Sequence, residues 1–400
     1  MRNLKRLIAF SAALCTAGVL TGCSNPFGDK ALTEEQKLKY ASHSVLQVKL
    51  SEAAANPDSP YSAEDLRVLR DCIVNKVSDD NTKSFDLNSD GICDAKDLGL
   101  MQQAVLNGQL KENLPVVYMT KDISPEGLIH AYLALGWTPG EKPAVKLSTG
   151  EPPASNYLRA ELITDLIRYV NGTVVECNTA YSGSKRGETA MHYQVAKDHG
   201  FADITSFQIL DENGTMTLPV AGGTNLTEDY VGAAFDDYDS YLILSHFKGH
   251  PMAGFGGAIK NISIGLAACE GKFWIHSAGK TREKWDSSNQ TGFLESMGEA
   301  GKAVDDYLGD RITYVSVMNR LSVDCDCVGK PEEPDMHDIG ILSSADPVAL
   351  DQACIDLVFA AEDGDKLLRR IEAKNGLHTL EHAAEIGLGS REYQLVIIDD

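Results

Sequence analysis

The string SHFKGHPMAGFGGAIKN brings His246, Lys248, His250 and Lys260 into a glycine-rich stretch between Ser245 and Asn261. Histidines in such a setting can ligate a metal or move protons near neutral pH. The lysines can neutralise an anion, and the glycines let backbone amides approach a ligand closely. Lys272 and His276 follow within one further helix length. These residue types assign His246, Lys248, His250 and Lys260 to catalysis. Gly256, Gly257, Asn261 and Lys272 are assigned to ligand binding, and His276 to a transition metal. Singly, each histidine has a structural reading; gathered around one loop, they make a candidate site.

Two further clusters carry chemistry. ECNTAYSGSKR supplies Glu176, Asn178, Tyr181 and Arg186 as ligand-binding candidates, and DCDC supplies Cys325 and Cys327. Thiols one residue apart can share a soft metal such as zinc, copper(I) or an iron centre. A disulfide across so short a loop is strained and reducible, so redox chemistry is equally open.

The remainder of the chain sets these clusters apart. It has 400 residues, a formal net charge of −22 and a pI near 4.8. Such a surface repels phosphate backbones, which sets nucleic acid aside as a partner. Against that background the 245–276 region is a basic exception, and it points to a small anionic ligand. At about 100–200 residues per domain, the length predicts two or three domains.

From Pro115 onward, short β-rich runs alternate with helical patterns. The runs are 116–119, 144–147, 173–177, 241–244, 312–317, 339–342 and 394–398. Ser124-Pro125 and Asp346-Pro347 mark helix starts with Pro in the first turn. Alternation predicts an α/β fold, a mostly parallel sheet with helices on both faces. In such sheets chemistry gathers beyond the carboxyl ends of the strands, and each polar cluster follows one of these runs. Residues 361–400 predict two helices and a closing strand, with His378 and His382 on the surface.

The N-terminal region carries different signals. Arg2, Lys5 and Arg6 precede the apolar run 7–19, which is too short to span a bilayer. Leu20-Thr21-Gly22-Cys23 resembles a bacterial lipobox. That resemblance implies a signal peptide over 1–22, lipid on Cys23, and an extracytoplasmic protein anchored to the cell membrane. Residues 23–53 are then a tether. DLNSDGICDAKD places Asp86, Asn88, Asp90 and Asp97 at positions 1, 3, 5 and 12 of a loop. Ile92 offers its carbonyl at position 7 and Gly91 turns the chain, a pattern suited to Ca²⁺. A worn copy holds Asn56, Asp58 and Asp65, and apolar stripes follow both. Residues 54–110 thus resemble a dockerin, a small all-α calcium module, which implies cohesin as a partner. The main α/β domain is assigned to 114–400.

The strings ECNTAYSGSKRGETAMHYQVAKDHGF, SHFKGHPMAGFGGAIKNISIGL, DCDC and DIGILSSADPVALDQA resemble the family called domain of unknown function 362. Many members of that family carry ferredoxin-type iron–sulfur segments. This chain has no Cys-x₂-Cys-x₂-Cys-x₃-Cys-Pro run, so no ferredoxin-type cluster is inherited. A weaker resemblance is to the core of the nickel-pincer lactate racemases. It implies proton transfer by His250, cofactor anchoring by Lys260 and metal ligation by His276. The expectation is a membrane-anchored extracytoplasmic enzyme, metal-dependent or redox, acting on a small anion. The alternatives are a non-catalytic anion-binding lipoprotein and a dockerin-borne component of a polysaccharide-degrading system.

Overall fold

The structure is a computed structural model that describes residues 43–76 and 82–399. The leader, Cys23 and the first part of the tether lie outside the described residues. The first elements are β1 (Ser44–Lys49), α1 (Leu50–Ala54), α2 (Ala63–Val74), α3 (Ala95–Val105), β2 (Val116–Thr120) and α4 (Pro125–Leu133). They are followed by β3 (Pro143–Lys146), α5 (Ala160–Tyr169), β4 (Thr173–Glu176), α6 (Thr189–Asp198) and β5 (Phe207–Ile209). A hairpin of β6 (Thr215–Pro219) and β7 (Glu228–Gly232) leads to β8 (Ser240–His246). Next come β9 (Lys248–His250), β10 (Gly254–Gly256), α7 (Ala258–Ile262), α8 (Cys269–His276), α9 (Gln290–Leu308) and β11 (Ile312–Met318). The chain closes with β12 (Gly340–Ser344), α10 (Pro347–Ala360), α11 (Asp365–Ala373), α12 (Leu377–Glu385) and β13 (Tyr393–Ile397).

Nine strands form one sheet in the order β1-β13-β2-β12-β11-β8-β3-β4-β5. Within it only β12 runs antiparallel to its neighbours β2 and β11. Each of the seven strands expected from sequence is present. So are the helices capped by Ser124 and Asp346, whose side chains accept N–H bonds from Gly127 and from Val348 and Ala349. Alternate residues of one strand feed opposite cores, as a pleat requires. Tyr241 and Ile243 of β8 pack on the face covered by α7, α9, α10, α11 and α12. Leu242 and Leu244 face α2, α3, α4 and α5.

Two N-terminal expectations change here. Residues 44–49, assigned to the tether, form the edge strand β1 and pair in parallel with β13. The helices of the expected dockerin-like module do not stand apart from the α/β domain. Leu66, Leu69 and Ile73 of α2 and Leu98, Met101 and Val105 of α3 share one core with Leu128 and Tyr132 of α4. Contact is close enough that a Cβ on Gly99 would sit 2.8 Å from the Cα of Gly136. The apolar stripes legible in sequence are the surfaces that bind these helices to the sheet layer.

His378 and His382 are likewise not free surface residues. From α12 they bond Glu295 and Glu299 of α9, each at 3.0 Å, and His382 is buried. Glu299 also accepts N–H bonds from Thr224, Asn225 and Leu226, so this pair clasps α9, α12 and one loop.

If α2 belongs to the main core, Leu69→Ala should destabilise the whole domain by about 2–5 kcal/mol. Denaturant unfolding followed by tryptophan fluorescence should show one shifted transition. An unmoved main transition beside a separate early one would mean that the helix pair folds independently.

Candidate active site

Strands β11, β8, β3 and β4 lie side by side and parallel, so their carboxyl ends share one rim. Lys146 ends β3, Glu176 ends β4, His246 ends β8, and the chain beyond β11 runs to Cys325 and Cys327. A cavity of about 310 Å³ opens there. It gathers most of the residues singled out in sequence: Glu176, Tyr181, Arg186, His246, Lys248, His250, Gly256, Gly257, Lys260, Asn261, Lys272, His276, Cys325 and Cys327. Of the candidates assigned to the main domain, Asn178 alone is not among its lining residues. It bonds His192 at 3.3 Å and Thr189 at 2.9 Å behind the wall.

The cavity is rich in cations, and most are tied to buried carboxylates. Lys146 meets Glu176 at 2.8 Å and the Asn261 amide oxygen at 2.9 Å. Arg186 lies 3.2 Å from Glu151 and 3.6 Å from Glu176, and donates to the Tyr181 hydroxyl. Burial alone would raise the Glu176 carboxyl, but Lys146 and Arg186 outweigh it and hold its pKa down at about 2. Lys248 lies 2.9 Å from Asp326, the residue between the two cysteines. Burial opposes charge on Asp326, yet Lys248 and His246 hold it well below the usual carboxylate range.

His246 bonds Asp326 through Nδ1 at 2.9 Å and faces the Asn319 carbonyl oxygen through Nε2 at 2.7 Å. Both ring nitrogens thus face oxygen atoms of the 319–326 loop. His246, assigned to catalysis by sequence, is therefore engaged in fixing the 319–326 loop.

His250 and His276 are oriented in opposite senses. The His250 Nδ1 accepts N–H bonds from Met252 at 3.2 Å and Ala253 at 2.9 Å. In the neutral ring its proton is then on Nε2, which faces the cavity as a donor. Burial, with Lys260 nearby, lowers its pKa and favours that neutral ring. His276 donates from Nδ1 to the Lys272 carbonyl at 2.6 Å, which leaves the Nε2 lone pair available. Its ring lies between Trp285 and Phe293, and burial pushes its pKa down to about 3. So low a value makes a weak base but a persistently neutral lone-pair donor, the character of a metal ligand.

Lys260 is placed by its backbone. The Asp351 carboxylate of α10 accepts N–H bonds from Ala258 at 2.7 Å and Ile259 at 3.0 Å. A Cβ on Gly257 would fall 2.1 Å from that carboxylate, so only glycine permits the approach. Among the described residues no carboxylate pairs with Lys260 or Lys272. Asp351, Asp326 and Lys146 were not singled out in sequence. Lys146, a charge within the apolar run PAVKL, and Asp351, an acid within the apolar helix PVALDQA, each left a signal.

His250, Cys325 and Cys327 offer ligand atoms within 4.8 Å of one another, and among the described residues no other such His/Cys/acid group occurs. In the Asp86–Asp97 loop the carboxylates are directed at backbone amides. Asp97, fully buried, accepts from Leu87, Asn88 and Asp94, and Asp86 accepts from Asp90 and Gly91. Ile92 is exposed. That loop lies outside the cavity.

The family described as domain of unknown function (DUF362) matches residues 144–356, a span that holds every cavity residue. The chain belongs to this family. No curated protein matches it. Among solved structures, this DUF362 chain is similar to a Thermotoga maritima protein, at 11% identity and a TM-score of 0.35. That match covers 65% of this chain and 58% of the other. It is also similar to the lactate racemase apoprotein from Thermoanaerobacterium thermosaccharolyticum, at 14% identity and a TM-score of 0.36, covering 60% and 56% respectively. The chain thus spans under two thirds of each.

Removing the counter-ion of Lys146 tests this electrostatic framework. Glu176→Gln should cost about 3–5 kcal/mol near neutral pH, because it leaves a buried lysine unpaired. The Glu176 pKa is depressed, so its contribution is complete above the ordinary value of 4.5 and is lost as pH falls towards about 2. Denaturant titrations should show the wild-type advantage narrowing across that window. A difference independent of pH would contradict the ion-pair assignment.

Proposed function

We propose that this DUF362 chain is an enzyme that binds a small anion in the cavity and acts on it by metal-assisted or redox chemistry. The observation that carries this reading is the charge count at the cavity. Lys146, Arg186, Lys248, Lys260 and Lys272 line it, while the carboxylates tied to them are Glu151, Glu176 and Asp326. Lys260 is left with no ion-pair partner among the described residues, while Lys272, which also lines the cavity, donates to the Ala267 carbonyl and acts on the partly buried Asp211 carboxyl. In this reading Lys260 and Lys272 hold the anion, and the His250 Nε2–H donates to a substrate oxygen. His276 presents a neutral lone pair suited to a borderline metal, which would supply Lewis-acid polarisation of the substrate. Gly256 leaves room between the Lys248 and Lys260 stems, since a Cβ there would sit 3.3 Å from Lys260 and 3.5 Å from Lys248.

The N-terminal signals extend the proposal. The lipobox-like Leu20–Cys23 segment supports an extracytoplasmic enzyme anchored through lipid on Cys23. The Asp86–Asp97 pattern supports a calcium loop, and its likeness to dockerins supports cohesin as a docking partner.

Calorimetry with two- to four-carbon carboxylates and inorganic phosphate tests the anion site. At least one should bind, and Lys260→Met should weaken it about tenfold or more, the equivalent of one charge-assisted contact. Metal analysis of anaerobically purified protein should find a transition metal that His276→Ala loses. If no small anion distinguishes the wild type from Lys260→Met, the proposal fails.

A further inference from the structure

The cysteine pair admits two chemistries, and the orientation of His250 separates them. A metal held by Cys325, Cys327 and His250 would need three lone pairs converging on it. Two sulfurs are available, since both line the cavity and lie within 4.8 Å of each other and of a His250 ring nitrogen. The nitrogen lone pair is not. Because Met252 and Ala253 both donate to Nδ1, the neutral ring carries its proton on Nε2. An N–H therefore faces the Cys327 sulfur at 4.0 Å. The Cys327 backbone N–H also donates to the Cys325 sulfur at 3.2 Å. Two thiols among N–H donors, beside the unpaired Lys260 ammonium, form a setting that stabilises a thiolate.

We propose that Cys325 and Cys327 are a dithiol–disulfide couple that exchanges with a small anionic disulfide drawn in by Lys260. The inference rests on the anion-site reading and names its substrate class. The Cys325 thiolate attacks one sulfur of a disulfide R–S–S–R′, forming Cys325–S–S–R and breaking the substrate S–S bond. The departing R′–S⁻ takes the proton of the Cys327 thiol. The Cys327 thiolate then attacks the Cys325 sulfur and expels R–S⁻. One thiolate, one thiol and one disulfide become an internal disulfide, R′–SH and R–S⁻, with charge and protons conserved. His250 transfers no proton in this sequence; its Nε2–H stabilises each sulfur anion as it forms.

Two assignments agree with this. Burial opposes charge on Cys325, but the Cys327 thiol, Lys260 and His250 outweigh it and hold Cys325 well below the usual thiol range. The hydrogen bond to Cys325, with burial, holds Cys327 well above it. The backbone N–H that Cys327 donates to the Cys325 sulfur favours Cys325 as the attacking thiol. Cys354 is fully buried away from the cavity, and Cys177, which lines it, donates its thiol proton to the Leu266 carbonyl.

The full chain, purified without oxygen, is equilibrated in glutathione buffers of rising disulfide fraction, trapped with N-ethylmaleimide and analysed by peptide mass spectrometry. Cys325 and Cys327 should pass together from doubly alkylated to an internal disulfide along a two-electron curve. Cys327→Ser should instead accumulate a mixed disulfide on Cys325. Oxidised glutathione should react at least tenfold faster than the uncharged 2-hydroxyethyl disulfide, and Lys260→Met should abolish that preference. The couple is overturned if both thiols remain alkylatable at every ratio. It is equally overturned if a stoichiometric metal on the pair protects them until chelated. Small-carboxylate binding that persists in either case would leave the anion site standing and remove only the redox assignment.

Discussion

Five cations around one buried-walled cavity are the constraint on which the site depends. Opposed charges in a protein interior interact several times more strongly than in water, and so do like charges. Without counter-ions, Lys146, Arg186 and Lys248 could not remain charged together at the ends of β3, β4 and β8. Glu176 serves two of them, and its position at the end of β4 binds that strand end to β3. Asp326 performs the same office for β8 and the loop beyond β11, through Lys248 and His246. The ion pairs that hold the rim together thus also fix the positions of the groups facing the ligand. Lys260 is left without an ion pair among the described residues by the same arrangement, and Lys272 is held by the Ala267 carbonyl.

Much of this was legible in the sequence, because strand ends and polar clusters alternate along the chain. The seven strands follow from β-rich runs, and clusters placed after those runs must share the carboxyl rim of a parallel sheet. What stayed hidden depends on partners distant in sequence. The apolar stripes of α2 and α3 announce amphipathic helices without saying which surface they cover, so they suited a separate module as well as a sheet layer. The Asp86–Asp97 loop shows the same ambiguity in polar form. Oxygens spaced for a cation are also spaced to receive the amides of a turn and a helix N-terminus, and Asp97 receives three of them. His378 and His382 looked exposed because nothing nearby in sequence reveals that α9 lies against them.

The roles of the histidines could not be read from spacing at all. His246, His250 and His276 are alike in sequence context, each near glycine or lysine, and differ in what their two nitrogens meet. His246 faces oxygen acceptors on both sides and holds a loop. His250 receives two amides at Nδ1 and presents a proton. His276 gives its Nδ1 proton to a carbonyl and presents a lone pair. Backbone groups within four residues set the orientation of the last two, so the turn at 251–253 and helix α8 determine their chemistry.

Asp351 extends this logic to the cation beside the thiols. By receiving the Ala258 and Ile259 amides it holds the start of α7, from which Lys260 reaches the cavity. Burial raises the Asp351 carboxyl to about 7, and its oxygens are taken up by these amides rather than by an ion pair with Lys260. The Cys325 thiolate of the proposed couple is an anion on which the Lys260 charge acts. On the proposed couple, closing the Cys325–Cys327 disulfide removes that negative charge and strengthens the cavity's hold on an incoming anion. Linkage makes the effect mutual: an anion bound at Lys260 favours the disulfide to the degree that the disulfide favours the anion. On this proposal, oxidation state and anion occupancy are coupled through a single ammonium group, whose place is fixed by a glycine with no room for a side chain.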